Sequence, residues 1–382
     1  MSTHTPLPPT SLGAGSRAPR RRRWLIALIS VAAIIALGAI GIFVWLQQQQ
    51  HCVKAPDPAR SGAVSEYCPS EPYQPTNGGA MVTGPDGNLW YIDSQQRIVR
   101  FSPQSGAVTE FAAPTAPNNV AYAGMANGKD GNIWYVANYT LGRISMNGAF
   151  KEFALPQDMG FVGNLAVGTD GTLWVTMGSE NKGGLLKVTP SSDTSAAPQI
   201  TKVTLPLAAN TQIGPIAAAP DGSLWAPWYA KSGDTILSTH IVRLTPSGAV
   251  TQLPLTIPGT MTSLAAGPDG KMWFVITPGH MGRITLAGAV TLFNVSQVGE
   301  MTGIPTNLAV EPNGNAWFST SSQDGTTGVA RITPAGVVTT YALPHSGGMI
   351  NNMTVGPDGG IWLMLGYSQL AQPSSRLVRI TP

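Results

Sequence analysis

The chain has 382 residues, of which only 11% are charged, whereas 44 are glycine and 32 are proline. Five of the 22 basic residues lie before residue 24, which leaves 17 basic against 19 acidic residues and argues against a nucleic-acid-binding surface. So many turn formers with so few charges are typical of a tightly turned extracytoplasmic β protein.

The first 60 residues predict a single-pass membrane anchor. Residues 1–23 form a disordered basic tail, and residues 24–46 are an uncharged apolar run, long enough to cross a hydrocarbon core of about 30 Å. Residues 47–60 then form a stalk. The four arginines at positions 20–23 place the tail in the cytoplasm and the rest of the chain outside the cell membrane. A cleaved signal peptide is the alternative, but no clear cleavage site follows the long apolar run.

Two cysteines follow the predicted span. Cys52 and Cys68 both lie on its extracytoplasmic side, where a disulfide would tie the stalk to the first strand. Two free thiols are the alternative.

Seven tryptophans mark seven copies of one repeat within residues 61–382. Each Trp lies three residues after the glycine of an Asp-Gly or Asn-Gly turn, and successive tryptophans are 40 to 51 residues apart. Such turns join antiparallel strands, and a strand-rich repeat of this length predicts an all-β, seven-bladed β-propeller with four strands per blade. The tryptophans, which we expect to pack between blades, are Trp90, Trp134, Trp174, Trp225, Trp273, Trp317 and Trp362.

A basic residue recurs near the end of every third strand. We interpret it as the partner of a turn aspartate or a carbonyl, because a residue present in every blade generally serves the blade. The turn aspartates lack the further acidic residues of a calcium loop, so we interpret them as turn formers. The basic residues are Arg100, Arg143, Lys187, Arg243, Arg283, Arg331 and Arg379.

The outer strand missing from the last copy is present at the front of the domain. Residues 61–67, Ser-Gly-Ala-Val-Ser-Glu-Tyr, match residues 105–111, Ser-Gly-Ala-Val-Thr-Glu-Phe, whereas the seventh copy stops at Pro382. This predicts an N-terminal latch strand that completes blade seven and closes the ring, which removes exposed strand edges. Residues 61–382 are therefore one domain.

Several phrases of the repeat resemble the streptogramin B (virginiamycin B) lyase family. Residues 267–274 read Gly-Pro-Asp-Gly-Lys-Met-Trp-Phe, residues 282–285 read Gly-Arg-Ile-Thr, and residues 149–156 read Ala-Phe-Lys-Glu-Phe-Ala-Leu-Pro. The resemblance covers the whole predicted propeller. It implies an enzyme that opens a cyclic antibiotic by eliminating at its ester, with the help of Mg²⁺ and of His and Glu side chains near the central channel.

The positions to which the resemblance assigns that chemistry differ in this chain. A blade-opening His is implied, but the seven positions hold Gly79, Ala123, Gly163, Gly214, Thr262, Thr306 and Asn351. An acidic residue is implied three residues after the Trp, and only Asp93 is acidic there. An elimination needs a base and a stabiliser of the developing charge. The catalytic candidates are Asp93, His280, Glu300 and His345, the last three on neighbouring blade edges.

The remaining candidates lie in loops that vary between copies. Exposed aromatic, amide and charged side chains in these loops suit a peptide, a glycan or a cyclic peptide. We therefore predict a membrane-anchored binding or interaction module that lacks the catalytic pattern of the lyases, and we assign it no cofactor. The alternative is a Mg²⁺-dependent carbon–oxygen lyase with a rewired active site. The predicted ligand-binding residues are Trp228, Tyr229, Lys231, Glu180, Asn351 and Tyr367.

Overall fold

The computed structural model divides the chain into two units, Met1–Cys52 and Val53–Pro382. It describes residues 62–67, 80–93, 95–114, 122–179, 182–191, 193, 196–206, 211–232, 235–257, 259–298, 301–321, 327–343, 348–367 and 374–382. Within these ranges no helix has the length and apolar character needed to span a bilayer. The predicted span 24–46 and both cysteines, Cys52 and Cys68, lie outside them.

The described residues form 31 strands and one short 3₁₀ helix, Gln157–Met159. The strands up to blade three are β1 Val64–Tyr67, β2 Met81–Thr83, β3 Leu89–Ile92, β4 Ile98–Phe101, β5 Val108–Phe111, β6 Tyr122–Asn127, β7 Ile133–Ala137, β8 Thr140–Ile144, β9 Phe150–Ala154, β10 Phe161–Val167, β11 Leu173–Ser179, β12 Lys182–Thr189 and β13 Gln199–Val203. Blades four and five add β14 Thr211–Ile213, β15 Ala217–Ala218, β16 Leu224–Ser232, β17 Thr235–Leu244, β18 Val250–Ile257, β19 Thr260–Ala266, β20 Met272–Thr277, β21 His280–Ile284 and β22 Val290–Asn294. The remaining strands are β23 Gln297–Val298, β24 Met301–Thr302, β25 Ile304–Val310, β26 Ala316–Ser321, β27 Thr327–Ile332, β28 Val338–Tyr341, β29 Gly348–Val355, β30 Ile361–Tyr367 and β31 Ser374–Ile380.

Apart from β23 and β24, which pair only with each other, the described strands build seven antiparallel sheets, and this confirms the seven-bladed propeller. Five blades are simple four-stranded meanders: β2 to β5, β6 to β9, β10 to β13, β19 to β22 and β25 to β28. In blade four, both β14 and β15 pair with β16, so the first strand is interrupted. Blade seven has the order β1-β31-β30-β29, with Val64 opposite Ile380 and Tyr67 opposite Leu377.

Each pair of neighbouring blades shares one apolar cluster. Trp90 of blade one packs with Met125, Ile133 and Tyr135 of blade two, and the other clusters repeat this arrangement around the ring. The last cluster joins Trp362 of blade seven to residues of blade one, such as Leu89. Six of the seven repeat tryptophans are fully buried, which confirms their role between blades, whereas Trp174 is only partly buried.

The turn aspartate and the repeat Trp are bonded to each other. The Trp90 indole N–H donates to Asp86 at 3.0 Å, and Trp134 and Trp362 donate in the same way to Asp130 and Asp358. This contact leaves no room for a side chain two residues before the aspartate. A Cβ on Gly128 would lie 2.6 Å from the Trp134 Nε1 atom. The turn therefore does more than reverse the chain, because it also supplies the acceptor for a buried indole.

The basic residues of the third strands pair as predicted. Within 4 Å, Arg100, Arg143, Arg243, Arg283 and Arg379 each approach the carboxylate of their own blade's turn aspartate. The Arg243 Nη2 atom, for example, lies 2.5 Å from Asp221 Oδ2. In six blades the cation also lies over the repeat Trp, 4.9 to 5.9 Å from the ring centroid. These contacts confirm that the recurring bases serve the blades.

Candidate functional site

The first strands of the blades stand side by side around the centre of the ring. Each of them contacts the first strand of the next blade: β2 with β6, β6 with β10, β10 with β15, β15 with β19, β19 with β25, β25 with β29, and β29 with β2. This closed series of contacts makes them the lining of the central channel. Their last residues lead into the Asp-Gly turns, which define the turn end of the ring. Their first residues define the opposite end, the mouth.

The described part of the channel lining carries no acidic, basic or histidine side chain. The described first strands read Met-Val-Thr, Tyr-Ala-Gly-Met-Ala-Asn, Phe-Val-Gly-Asn-Leu-Ala-Val, Thr-Gln-Ile, Ala-Ala, Thr-Met-Thr-Ser-Leu-Ala-Ala, Ile-Pro-Thr-Asn-Leu-Ala-Val and Gly-Met-Ile-Asn-Asn-Met-Thr-Val. Its polar groups are amides and hydroxyls.

Five first strands have a β-bulge at the position where the resemblance implies a catalytic His. The register shifts enclose these residues, and we call the set the bulge ring. Bulges redirect side chains and occur often beside active sites. The positions that differ from those the resemblance implies therefore fall on the bulges. The bulge ring comprises Ala123, Gly163, Thr262, Thr306 and Asn351.

Hydroxyl groups on the second strand hold two of the bulges. Thr176 Oγ1 accepts the Asn164 N–H at 2.7 Å, and Ser319 Oγ accepts the Asn307 N–H at 3.2 Å. Both hydroxyl residues lie two positions after their repeat Trp. The Asn307 side chain then donates from Nδ2 to the Ile350 carbonyl of blade seven at 2.7 Å. The bulges of blades three and six are thus fixed by matched contacts.

Three large apolar side chains are exposed at the mouth. Phe161, Ile304 and Met349 have 73%, 42% and 59% of their surface exposed. Each lies at or next to the start of its first strand and opposite the residue four positions after the repeat Trp, so the three stand at the same level. Apolar side chains of this size are more often buried than exposed.

The catalytic candidate Asp93 is fully buried and bonded to its own turn. Its Oδ1 atom accepts the N–H groups of Gln95 and Arg97 at 2.9 and 2.8 Å, and Oδ2 accepts Arg97 Nε at 2.8 Å. Arg97 also forms an ion pair with Glu110 on the outer strand. These contacts stabilise the hairpin at the end of β3.

The candidate His280 lies away from the channel lining. It is the first residue of β21, a third strand, and two strand spacings of about 4.8 Å separate such a strand from the inner one. One ring nitrogen, Nδ1, is 3.1 Å from the Pro278 carbonyl. The other two members of the predicted rim, Glu300 and His345, lie outside the described residues.

Mg²⁺ is the cofactor that the resemblance implies, and the described residues do not fit it. Mg²⁺ prefers carboxylate and other oxygen ligands in an octahedral arrangement. Among the described parts of the chain, no group of three or more His, Cys, Asp or Glu side chains is placed to hold a metal ion.

The ligand candidates Trp228 and Tyr229 are buried, so the prediction that they are exposed is wrong. Only 8% and 5% of their surfaces remain accessible. The Tyr229 hydroxyl donates to the Met261 carbonyl of blade five at 2.5 Å, and burial raises the pKa of this phenol above its ordinary value. The lengthening of β16 and β17 continues the sheet at these positions. The sequence alone suggested a loop because aromatics stood beside glycine and aspartate.

The other ligand candidates have different positions. Asn351 lies in the bulge ring on β29 and is partly exposed. Lys231 is opposite Ile236 near the end of the β16–β17 hairpin, and Tyr367 ends β30 opposite Ser374. Glu180 lies outside the described residues. Asn351 is thus the predicted residue that belongs to the channel lining.

Sequence reasoning missed a side-chain cluster on blade four. The Trp228 and His240 rings are stacked, with centroids 4.4 Å apart and planes inclined by 18°. His240 Nε2 lies 2.9 Å from Ser238 Oγ. The sequence did contain a signal for this cluster. Ser238 and His240 are two residues apart, so on a strand their side chains share a face, and Trp228 is opposite His240 on the neighbouring strand.

Comparison with solved structures shows the same fold in lyases and elsewhere. A streptogramin B lyase superposes with a TM-score of 0.64 at 22% identity, covering 83% of this chain and 97% of that one. A catalytically inactive virginiamycin B lyase from Staphylococcus aureus with quinupristin gives 0.65 at 19%, covering 83% and 99%. Hydrazine synthase from Kuenenia stuttgartiensis gives 0.58 at 13%, covering 78% and 95%. At these identities the likeness concerns the fold alone.

The comparison with family models is more specific. No curated protein matches the sequence. A model of the virginiamycin B lyase family matches residues 43–235 and 198–370. Together these ranges span most of the chain and include the first strands of all seven blades. The matched repeat and the seven blades agree with each other. The chain belongs to the virginiamycin B lyase family.

Proposed function

We propose that this protein is a membrane-anchored binding module whose ligand enters the mouth and contacts the bulge ring, without being cleaved. The observation that carries this proposal is the absence of acidic, basic and histidine side chains from the described first strands. An elimination needs a base close to the proton that it removes. The inner surface supplies amide and hydroxyl groups instead.

The chemistry of the lining favours an uncharged peptide or glycan. A charged group that entered the channel would lose its hydration without meeting an opposite charge, which costs free energy. The amide of Asn351 and the hydroxyl of Thr262 suit peptide carbonyls or sugar hydroxyls, and both residues are at least partly exposed. At the mouth, Phe161, Ile304 and Met349 suit apolar side chains. A cyclic peptide presents both kinds of group.

The anchor and the latch belong to the same proposal. Residues 24–46 span the membrane, and β1 holds the ring closed as the outer strand of blade seven. Support comes from the pairing of β1 with β31 and from the Gly62 N–H, which donates to the Thr381 carbonyl at 2.7 Å. Gly62 therefore enters the propeller at the turn end.

The test uses the full-length chain with virginiamycin B and Mg²⁺. Mass spectrometry follows the linearised product, and equilibrium dialysis on the same samples measures bound antibiotic. We expect bound but intact antibiotic. Product that disappears when Mg²⁺ is chelated would overturn the proposal and support a rewired lyase that uses Asp93, His280, Glu300 or His345.

Variants separate binding at the mouth from unspecific adsorption. We expect Phe161→Ala to weaken binding by about tenfold, the loss of one buried apolar contact of about 1.4 kcal/mol. Val337 is the control, because it is also an exposed apolar residue, with 62% of its surface accessible, but lies in a turn at the turn end of the ring. Val337→Ala should leave binding unchanged. Equal losses in both variants, or no binding by the unaltered chain, would refute a site at the mouth for this ligand.

A further inference from the structure

Blade four holds a hydroxyl and an imidazole in hydrogen-bond contact, away from the channel. Ser238 Oγ and His240 Nε2 are 2.9 Å apart, and both residues are partly exposed. They stand two positions apart on β17, a third strand, so their side chains share one face of the sheet. A nucleophile and a base within this distance form the core of nucleophilic catalysis.

A third group fixes the imidazole. The Trp228 ring lies flat against His240, at 4.4 Å between centroids and 18° between planes, and only 8% of Trp228 is exposed. A buried indole cannot easily move, so it limits the rotation of the imidazole. Trp228 thereby performs one task that a carboxylate performs in other nucleophile–base pairs, which is to orient the base.

We propose that Ser238 is an activated nucleophile, with His240 as its general base and Trp228 as the positioning residue, and that this cluster hydrolyses activated aryl esters. This activity would be independent of ligand binding at the mouth. Aryl esters are the appropriate class because an aryloxide leaves readily without a proton donor, and the described cluster contains no acid placed beside a leaving group.

The reaction has two steps, acylation of Ser238 and hydrolysis of the acyl group. Ser238 Oγ bonds to the carbonyl carbon while its proton moves to His240 Nε2, and the aryloxide departs with the electron pair of the broken C–O bond. Protonated His240 then gives this proton, through water, to the departed aryloxide, which becomes the phenol and leaves His240 neutral again. A water molecule next attacks the acyl carbon and gives one proton to His240. The bond between the acyl carbon and Ser238 Oγ breaks, and Oγ recovers a proton from His240. The net change is ester and water to acid and phenol.

The first test is covalent labelling of the full-length chain with a fluorophosphonate. Ser238 Oγ should displace fluoride from phosphorus, and peptide mass spectrometry should place the adduct on Ser238. Ser238→Ala should abolish the adduct, and His240→Gln should slow its formation about 100-fold, the usual effect of a general base. Hydrolysis of p-nitrophenyl acetate should fall in parallel.

Two controls separate activation from ordinary surface reactivity. Ser247 lies on the same blade, and its hydroxyl is 2.8 Å from that of Thr245 rather than from an imidazole. Ser247→Ala should not change labelling or hydrolysis. Trp228→Phe preserves a stacking ring and should retain most of the rate, whereas Trp228→Leu should lose it. An unlabelled Ser238, or equal labelling in His240→Gln, would overturn the proposal.

Discussion

The turn end and the mouth end of the same blades differ in how closely the seven copies agree. At the turn end, Asp86, Asp130 and Asp358 make the same bond to their tryptophans, and five arginines approach the turn carboxylates. At the mouth, the equivalent positions hold Phe161, Ile304 and Met349, and the bulges enclose different residues. The turn end maintains the fold, and the mouth is where one blade can differ from the next.

Removing a repeat tryptophan should cause the largest loss of stability, and it tests whether the turn end maintains the fold. Trp134 is fully buried between blades two and three, and its indole N–H is bonded to Asp130. We expect Trp134→Ala to lower the free energy of unfolding by about 3–5 kcal/mol, measured by chemical denaturation. Phe161→Ala, at the mouth, should change it by no more than about 0.5 kcal/mol. Similar losses in the two variants would contradict the division between the ends.

Breaking a buried ion pair in blade seven should cause the next largest loss of stability. Arg376 Nη1 lies 2.9 Å from Glu66 Oε2, and both side chains are almost inaccessible. Arg376→Met leaves a buried carboxylate without this partner, so we expect a loss of about 3 kcal/mol. Arg243→Met removes a more exposed pair with Asp221 at the turn end and should cost less than about 1 kcal/mol. Equal thermal unfolding midpoints of the two variants would refute the ranking.

Two glycines offer a smaller and more local comparison. A Cβ at Gly128, at the turn end, would lie 2.6 Å from Trp134 Nε1, so Gly128→Ala should destabilise the fold by about 1–3 kcal/mol. At Gly178, near the mouth, a Cβ would meet nothing within 4 Å. Gly178→Ala should be neutral or slightly stabilising, since alanine restricts the unfolded chain. Denaturation midpoints in urea distinguish these outcomes, and a destabilised Gly178→Ala would contradict the open mouth.

The smallest expected effect is a loss of stability at low pH. Burial alone raises the pKa of Asp221, but hydrogen bonds from Ser223 and Arg243 outweigh it and hold this pKa below its ordinary value. The same balance lowers the pKa of Asp269 and Asp358. A lowered carboxyl pKa stabilises the folded state above the unfolded value of about 3.9, and this stability disappears as the pH falls through the folded value.

We therefore expect the unfolding temperature to fall below about pH 4, and Asp221→Asn to reduce that fall slightly. Melting curves between pH 2 and 7 measure it. Asn313, which occupies the corresponding turn position in blade six, provides a natural reference because it does not titrate. An identical acid response in the unaltered chain and Asp221→Asn would show that this carboxylate contributes nothing to the pH dependence.

Much of the scaffold was predictable because it depends on short-range patterns. The Asp-Gly turns and the spacing of the tryptophans predicted seven four-stranded blades. The site was less predictable. Trp228 and Tyr229 have the composition of a loop, but the extended hairpin of β16 and β17 buries them.

Sequence alone determined the number of blades, the turn chemistry and the neutral character of the first strands, because these depend on residues close together in the chain. Only the tertiary structure decided that bulges fall at Thr262, Thr306 and Asn351, that Phe161 and Met349 reach the mouth, and that His240 stacks on Trp228. The physical reason is that a side chain's exposure and partners depend on strand register and on the neighbouring blade, which local pattern does not specify.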